Sequence, residues 1–320
     1  MADILLAAKR RLQSPPDFVG HYNSNYVFEY DLEKVVARKS QPARDDFDVR
    51  MMSESDALSL AEMASDRVPR LLYSSIDILI ESFCVGRPID LSQQNWSDLY
   101  RGVIDEMLQV YALDASSIAG PSTVDEWWSW MHLFIDSLWR ELQPQFHDRY
   151  EAVGVEPLTK IWQQRESLYG MEQPTRLVHS DLHDGNILIE IDRPGIPDWE
   201  LSLKADPLWD AAVALQRTRW KSTEQQLLAQ SLWLASIGDP DSEDILEIYL
   251  VVERWKSVLV DTVRYPREIQ LTSFDATMVR SRAASLSRKL SALALYMPCA
   301  QPTQEETSNL LVDWARFDEK

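Results

Sequence analysis

The feature that most constrains this chain is the stretch LVHSDLHDGNILI at residues 177–189. An apolar pair leads into a segment holding His179, Asp181, His183, Asp184 and Asn186, and an apolar run follows at once. Strand-like flanks with Gly185 between them make the polar centre a loop held between two strands. A helix would align His179 and His183 as a zinc-binding pair. Against that reading stand the strand-like flanks, the absence of HExxH and a total of five histidines, with no third ligand cluster in view.

The loop reading accounts for more residues. His179, Asp181 and Asn186 have the spacing H-x-D-x-x-x-x-N of a loop that serves phosphoryl transfer. In that chemistry Asp181 accepts or orients the proton of the attacking hydroxyl, and Asn186 offers magnesium a neutral oxygen ligand. Asp198, in IPDWEL, supplies a second carboxylate to bridge magnesium to nucleotide phosphates. His179 is read as a structural histidine that hydrogen-bonds the loop backbone, and His183 as lying near the phosphates or at the surface.

A chain of 320 residues can bury a sizeable core in one large domain or two modest ones. Fifty-one acidic against 32 basic residues give a net charge of −19, which disfavours nucleic acid or an anionic membrane as partner and suits a cationic small molecule. No stretch approaches the run of ~18 apolar residues of a membrane span. The opening MADILLAAKRRL carries its basic residues after the apolar ones, the wrong order for a secretory signal. With Cys84 and Cys299 as the only cysteines, a reducing cytoplasm is expected.

Residues 3–13 read as a short amphipathic helix ending before Pro15 and Pro16. Three strands are expected over 18–40, a helix over 48–64, and two further strands in RVPRLLY and SIDILIESF. Residues 95–168 read as mostly helical. A strand pair is expected after the loop (NILIEI, a turn at DRPG, then IPDWEL), and helices from 207 onward. Trp127, Trp128 and Trp130 are expected to pack a core. The reading is α+β, a small sheet-bearing first lobe and a larger helical second one, with a crossing near 83–90.

HSDLHDGN followed by DWELSLKADPLWDAA resembles the aminoglycoside phosphotransferase and choline-kinase-like group of small-molecule kinases. Many members carry a run close to HxDxHxGN, a strand, then DWE or DFE with GDPxxD behind it. Asp206 and Pro207 match the DP and Asp210 the last aspartate, while Ala205 replaces the usual glycine. The resemblance implies a protein-kinase-like fold with a nucleotide-binding lobe at 1–83 and a catalytic, acceptor-binding lobe at 84–320. Asp181 is then the catalytic base, Asn186 and Asp198 the magnesium ligands, and Asp210 a buttress of the loop. Glu200 stands near enough to order metal or water.

For ATP or GTP, the segment GHYNSNYVF would cover the phosphates, with Gly20 its one glycine and Ser24 and Asn25 as donors. Arg38 and Lys39 point to opposite faces of their strand, so one of them holds the phosphates; relatives that read VLR here favour Arg38. Glu54 is its expected ion-pair partner, with Glu62 as the competing choice. Backbone groups of Glu81 and Phe83 would meet the purine. Acceptor-binding acids are sought at Glu200, Asp206, Glu247 and Glu253.

The acceptor expected is a hydroxyl on a small, cationic antibiotic or natural product. A metabolic kinase of the choline, thiamine, homoserine or methylthioribose type is the alternative. A kinase-like binding protein and a metal-dependent hydrolase are the further ones. Only seven residues separate Asp198 from Asp206, too few for the activation loop of a protein kinase.

Overall fold

Strand β3 (Glu33–Ser40) shows how the first sheet is built. Its four central residues are buried and its ends exposed, so both faces of the strand are covered. Successive side chains alternate between the faces. On one face Val35 and Ala37 join Ile4, Ala8, Tyr26 and Ile80 in a core closed by helix α1 (Ala2–Arg11). On the other, Arg38 is 6% exposed and lies across the ladder from Asn25; Lys39, on the first face at the strand's end, is exposed.

The structure is a computed structural model that describes residues 2–19, 23–40, 52–141, 173–237, 242–271, 273–293 and 303–317. Gly20 and parts of the helices expected over 48–64 and 95–168 lie outside these residues. Strands β1 (Phe18–Val19), β2 (Asn23–Tyr30), β3, β4 (Leu71–Ser74) and β5 (Ile78–Ser82) form one antiparallel sheet in the order β1-β2-β3-β5-β4. Helix α2 (Glu54–Ala61) follows β3 and buries Ala57, Leu58 and Ala61.

Beyond β5 the chain turns at Gly86, whose φ of +143° suits glycine, and a Cβ there would meet the Ile189 backbone at 3.0 Å. That close approach lets the short strand β6 (Arg87–Pro88) pair with β8 (Leu188–Glu190), which forms a hairpin with β9 (Arg193–Gly195). Strand β7 (Arg176–Val178) pairs with β10 (Leu203–Ala205), where Ala205 is fully buried. The expected second strand at IPDWEL is corrected: the hairpin partner is Arg193–Gly195, and Trp199–Leu201 is a 3-10 turn. The tight turn is Ile191–Asp192, both at positive φ, as a two-residue hairpin of this hand requires.

Ile191 is a β-branched residue in a left-handed conformation and 90% exposed, so its side chain gains little in return. Ile191→Asn should therefore stabilise the chain by about 1 kcal/mol, seen as a higher denaturation midpoint with unchanged denaturant dependence.

Helix α3 (Trp96–Tyr111) buries Leu99, Tyr100, Val103, Met107 and Val110 at helical spacing. Helix α4 (Val124–Glu141) comes next, then α5 (Leu208–Arg217), buried continuously from Leu208 to Leu215. It is followed by α6 (Thr223–Ile237), α7 (Ser242–Leu271), α8 (Ala276–Leu293) and α9 (Gln304–Phe317). The chain divides into two compact units, Met1–Val124 with Pro174–Ser242, and Asp125–Gln173 with Glu243–Lys320.

In the second unit Trp127 and Trp128 are buried and meet Tyr249 edge-on at 5.4 and 5.8 Å, while Trp130 stacks on Phe134. No helix among the described residues is long and apolar enough to cross a membrane.

Candidate active site

Between β7 and β8 lies the loop 179–186, and Asp210 in the first turn of α5 anchors its start. The buried carboxylate accepts hydrogen bonds from the His179 N–H at 2.9 Å, the Ser180 N–H at 2.6 Å and the Tyr111 hydroxyl at 2.9 Å. Ser180 is held in a left-handed conformation, φ 61°, and its hydroxyl accepts from the Trp209 indole. Such a conformation persists only where its surroundings over-determine it, and here Asp210 does so.

Asp210→Asn removes one acceptor oxygen and puts an NH2 against a backbone N–H. It should cost about 1–3 kcal/mol in unfolding free energy and lower activity with it. A denaturation curve beside an activity assay would check both.

The His179 Nε2–H donates to the Pro197 carbonyl at 2.8 Å, so Nδ1 is the acceptor that faces the Asp181 N–H at 3.3 Å. The ring also meets Trp199 edge-on at 4.8 Å. One histidine thus sets the register between Asp181 and the Asp198 segment. His183 Nδ1 accepts from the Gly185 N–H at 2.9 Å, and burial lowers its pKa toward the neutral ring. Both ring nitrogens of His179 are thus hydrogen-bonded, and His183 uses Nδ1 within the loop while its Nε2 lies 3.9 Å from Asp181. Among the described residues, no group of three or more His, Cys, Asp or Glu gathers to hold a metal.

Asp181 is gripped at both carboxylate oxygens. Asn186 Nδ2 donates to Oδ2 and to the Asp181 carbonyl, each at 3.1 Å, and Arg217 from the last turn of α5 forms an ion pair with Oδ1. Beyond the helix, Arg219 pairs with Asp184 at 2.7 Å.

The second cluster centres on Arg38. Its Nη1 lies 2.6 Å from Glu54 and 3.5 Å from Glu81, and its Nη2 lies 2.5 Å from Asp198 and 3.1 Å from Glu200. Arg38, buried among these acids, has its pKa raised well above the ordinary value against the cost of burial. Burial, with the Asp198 charge beside it, pushes Glu200 up to about 7, and burial pushes Glu81 to about 7 as well. At Asp198 burial acts in the same sense, but the Arg38 charge and hydrogen bond prevail and the pKa is lowered. Asp198 itself is left-handed, φ 67° and ψ 64°, which turns its carboxylate toward Arg38.

Asn23 donates to Glu200 at 2.7 Å and so ties the start of β2 to this cluster. Glu62, the competing partner for Arg38, instead accepts from the Leu71 N–H at 2.8 Å.

Other expected residues lie elsewhere. Asn25 shares the Arg38 register and Ser24 that of Lys39. The Phe83 N–H donates to the Lys34 carbonyl at 3.0 Å, which extends the sheet and takes that donor from any purine. Glu81 enters the site through its side chain. Asp206 is buried and accepts the Leu208 N–H at 2.9 Å, capping α5. In the second unit Glu247 is exposed, whereas Glu253 is fully buried and paired with Lys256 at 2.5 Å.

Arg217, Arg219, Asn23 and Tyr111 were missed in the sequence. The signal for the first two was available: R-x-R-x-K at 217–221 is a basic run in a strongly acidic chain.

The donor chemistry fits a magnesium–nucleotide. Asn186 spends its NH2 on Asp181, leaving its carbonyl oxygen for a cation, and Asp198 and Glu200 add carboxylates, all hard oxygen ligands. Magnesium takes few protein ligands and completes its sphere with phosphate and water, so no preformed cage is required. Arg38 Nε is buried without an acceptor among the described residues, a donor suited to phosphate.

Residues 19–246 match the sequence model of the phosphotransferase enzyme family. The chain belongs to that family.

As a phosphotransferase it is a small-molecule kinase with a kinase-like fold. Similar solved structures include the gentamicin–APH(2″)-IIa complex, 14% identical with a TM-score of 0.62 over 96% of this chain and 98% of that one. Choline kinase LicA from Streptococcus pneumoniae is 16% identical with a TM-score of 0.60, over 91% and 98%. The amicoumacin kinase hAmiN in complex with AMP-PNP, Ca2+ and Ami is 12% identical with a TM-score of 0.60, over 97% and 94%. No curated protein sequence matches the chain.

Proposed function

We propose that this phosphotransferase moves the γ-phosphoryl group of ATP or GTP to a hydroxyl of a small antibiotic or natural product. Asp181 orients the hydroxyl and accepts its proton. Asn186 and Asp198 would hold magnesium, with Glu200 beside them, and the cation would neutralise charge on the phosphates. Arg38, fixed by Glu54 and Glu81, would hold a phosphate oxygen. The work divides between a nucleotide-binding lobe at 1–83 and a catalytic, acceptor-binding lobe at 84–320.

The observation that carries this reading is the arrangement of two carboxylates with different partners. Asp181 is held by Asn186 and Arg217 on the loop, and Asp198 is aimed at Arg38 by a left-handed backbone. One can serve the acceptor while the other serves the nucleotide. For the acceptor, similarity to gentamicin and amicoumacin complexes supports an antibiotic, and similarity to choline kinase supports the metabolic alternative. The net charge of −19 supports a cationic acceptor, and a chain with two cysteines suits the cytoplasm.

The test is nucleotide binding with and without magnesium, followed by a panel of gentamicin, a macrolide, amicoumacin and choline with ATP and GTP. Binding that ignores magnesium would sink the kinase reading. Asp198→Ala should weaken magnesium-dependent ATP binding at least about tenfold, read by calorimetry, while leaving magnesium-free binding little changed.

A further inference from the structure

Helix α5 and the residues just after it hold the catalytic loop at three points. Asp210, in its first turn, takes the backbone N–H groups of His179 and Ser180. Arg217, in its last turn, takes the side chain of Asp181. Arg219, two residues on, takes Asp184 through Nε at 2.8 Å and Nη2 at 2.7 Å.

Asp210 and Arg217 are seven residues apart, close to two helical turns, so both project from one face of the helix. The helix is buried from Leu208 to Leu215, which makes it a rigid reference. Rigid support of this kind is what a reacting carboxylate needs, because its rotamer must be set before the acceptor arrives. Asn186 alone would leave Asp181 free to turn about its own bond. A guanidinium on the second oxygen removes that freedom, and a cation at the C-terminal end of a helix is favoured there by the helix dipole.

We propose that Arg217 is a positioning residue for phosphoryl transfer, acting through Asp181. This rests on the kinase reading above. It assigns Arg217 no contact with nucleotide, so its loss lowers kcat and leaves nucleotide affinity alone.

Two measurements on the full chain test it. The first is a double-mutant cycle of Arg217→Ala and Asp181→Ala read as thermal midpoints, which needs no acceptor. The expected result is that Arg217→Ala lowers the midpoint more in the unsubstituted chain than in the Asp181→Ala background. Equal effects in both backgrounds overturn the proposal.

The second is steady-state turnover of MgATP with water and with each acceptor of the panel, alongside MgATP affinity. Arg217→Ala should lower kcat about a hundredfold with affinity within twofold, and Arg217→Lys should recover part of kcat. Exposed Arg70→Ala serves as the surface control. A coupled midpoint with unchanged kcat would leave a structural ion pair only and overturn the positioning role. Nucleotide binding that ignores magnesium, or no turnover by the unsubstituted chain, overturns the kinase reading and this proposal together. Magnesium-dependent turnover with an unaltered Arg217→Ala kcat overturns this proposal alone.

Discussion

Asp181→Ala should lower phosphoryl transfer by about 10²–10⁴-fold while MgATP binds with nearly its original affinity. The carboxylate is held by Asn186 and Arg217, whereas Arg38 is held by a separate set of acids, Glu54, Glu81, Asp198 and Glu200. It is only partly buried, so it can receive an acceptor hydroxyl. On the proposed function, removing it takes away the group that aligns the nucleophile and leaves the Arg38 cluster in place. Single-turnover transfer beside equilibrium nucleotide binding separates the two effects. Near-normal rates in Asp181→Ala would mean that the loop does not act on the acceptor, and Asp181 would lose its assigned role.

Arg38→Ala should have the largest effect on stability. The guanidinium is 6% exposed and stands among Glu54, Glu81, Asp198 and Glu200. Without it those acids face one another in a partly dry space. Breaking a buried pair by removing one partner costs about 3–5 kcal/mol. Partial protonation of Glu81 and Glu200, both near pH 7, relieves some of the repulsion. Arg38→Lys keeps the charge but cannot reach four carboxylates with a planar fork, so it should fall between the two. Chemical denaturation in metal-free buffer reads the order directly. An Arg38→Ala chain as stable as the original would show that the four acids do not depend on this cation.

Much of the local chemistry was legible in the sequence because it depends on spacing alone. Asp181 and Asn186 lie five apart on one loop, and their contact is local. Strand alternation put Arg38 and Lys39 on opposite faces, the resemblance favoured Arg38, and in the structure Arg38 is buried and Lys39 exposed. The expected strand at IPDWEL failed for a local reason of another kind. A left-handed Asp198 cannot continue a strand, and sequence pattern does not reveal a backbone held in that region by its surroundings.

The acids sought for the acceptor illustrate a different limit. Glu247 and Glu253 read alike in DSEDILEIYLVVERW, yet one faces solvent and the other is buried against Lys256. Glu81 was read for its backbone, but antiparallel pairing with Val36 puts its side chain on the Arg38 face.

What the sequence determined by itself, then, was, through the resemblance, the family, together with the spacing of the loop residues and of the strand that carries Arg38. These follow from residue type and short-range periodicity. Only the tertiary structure decided which distant groups meet them. Glu200 reaches Asn23 across 177 positions, Asp198 reaches Arg38 across 160, and Arg217 reaches Asp181 because α5 docks beside the loop. Such contacts are set by how buried elements pack, and the residues between them carry no record of that distance.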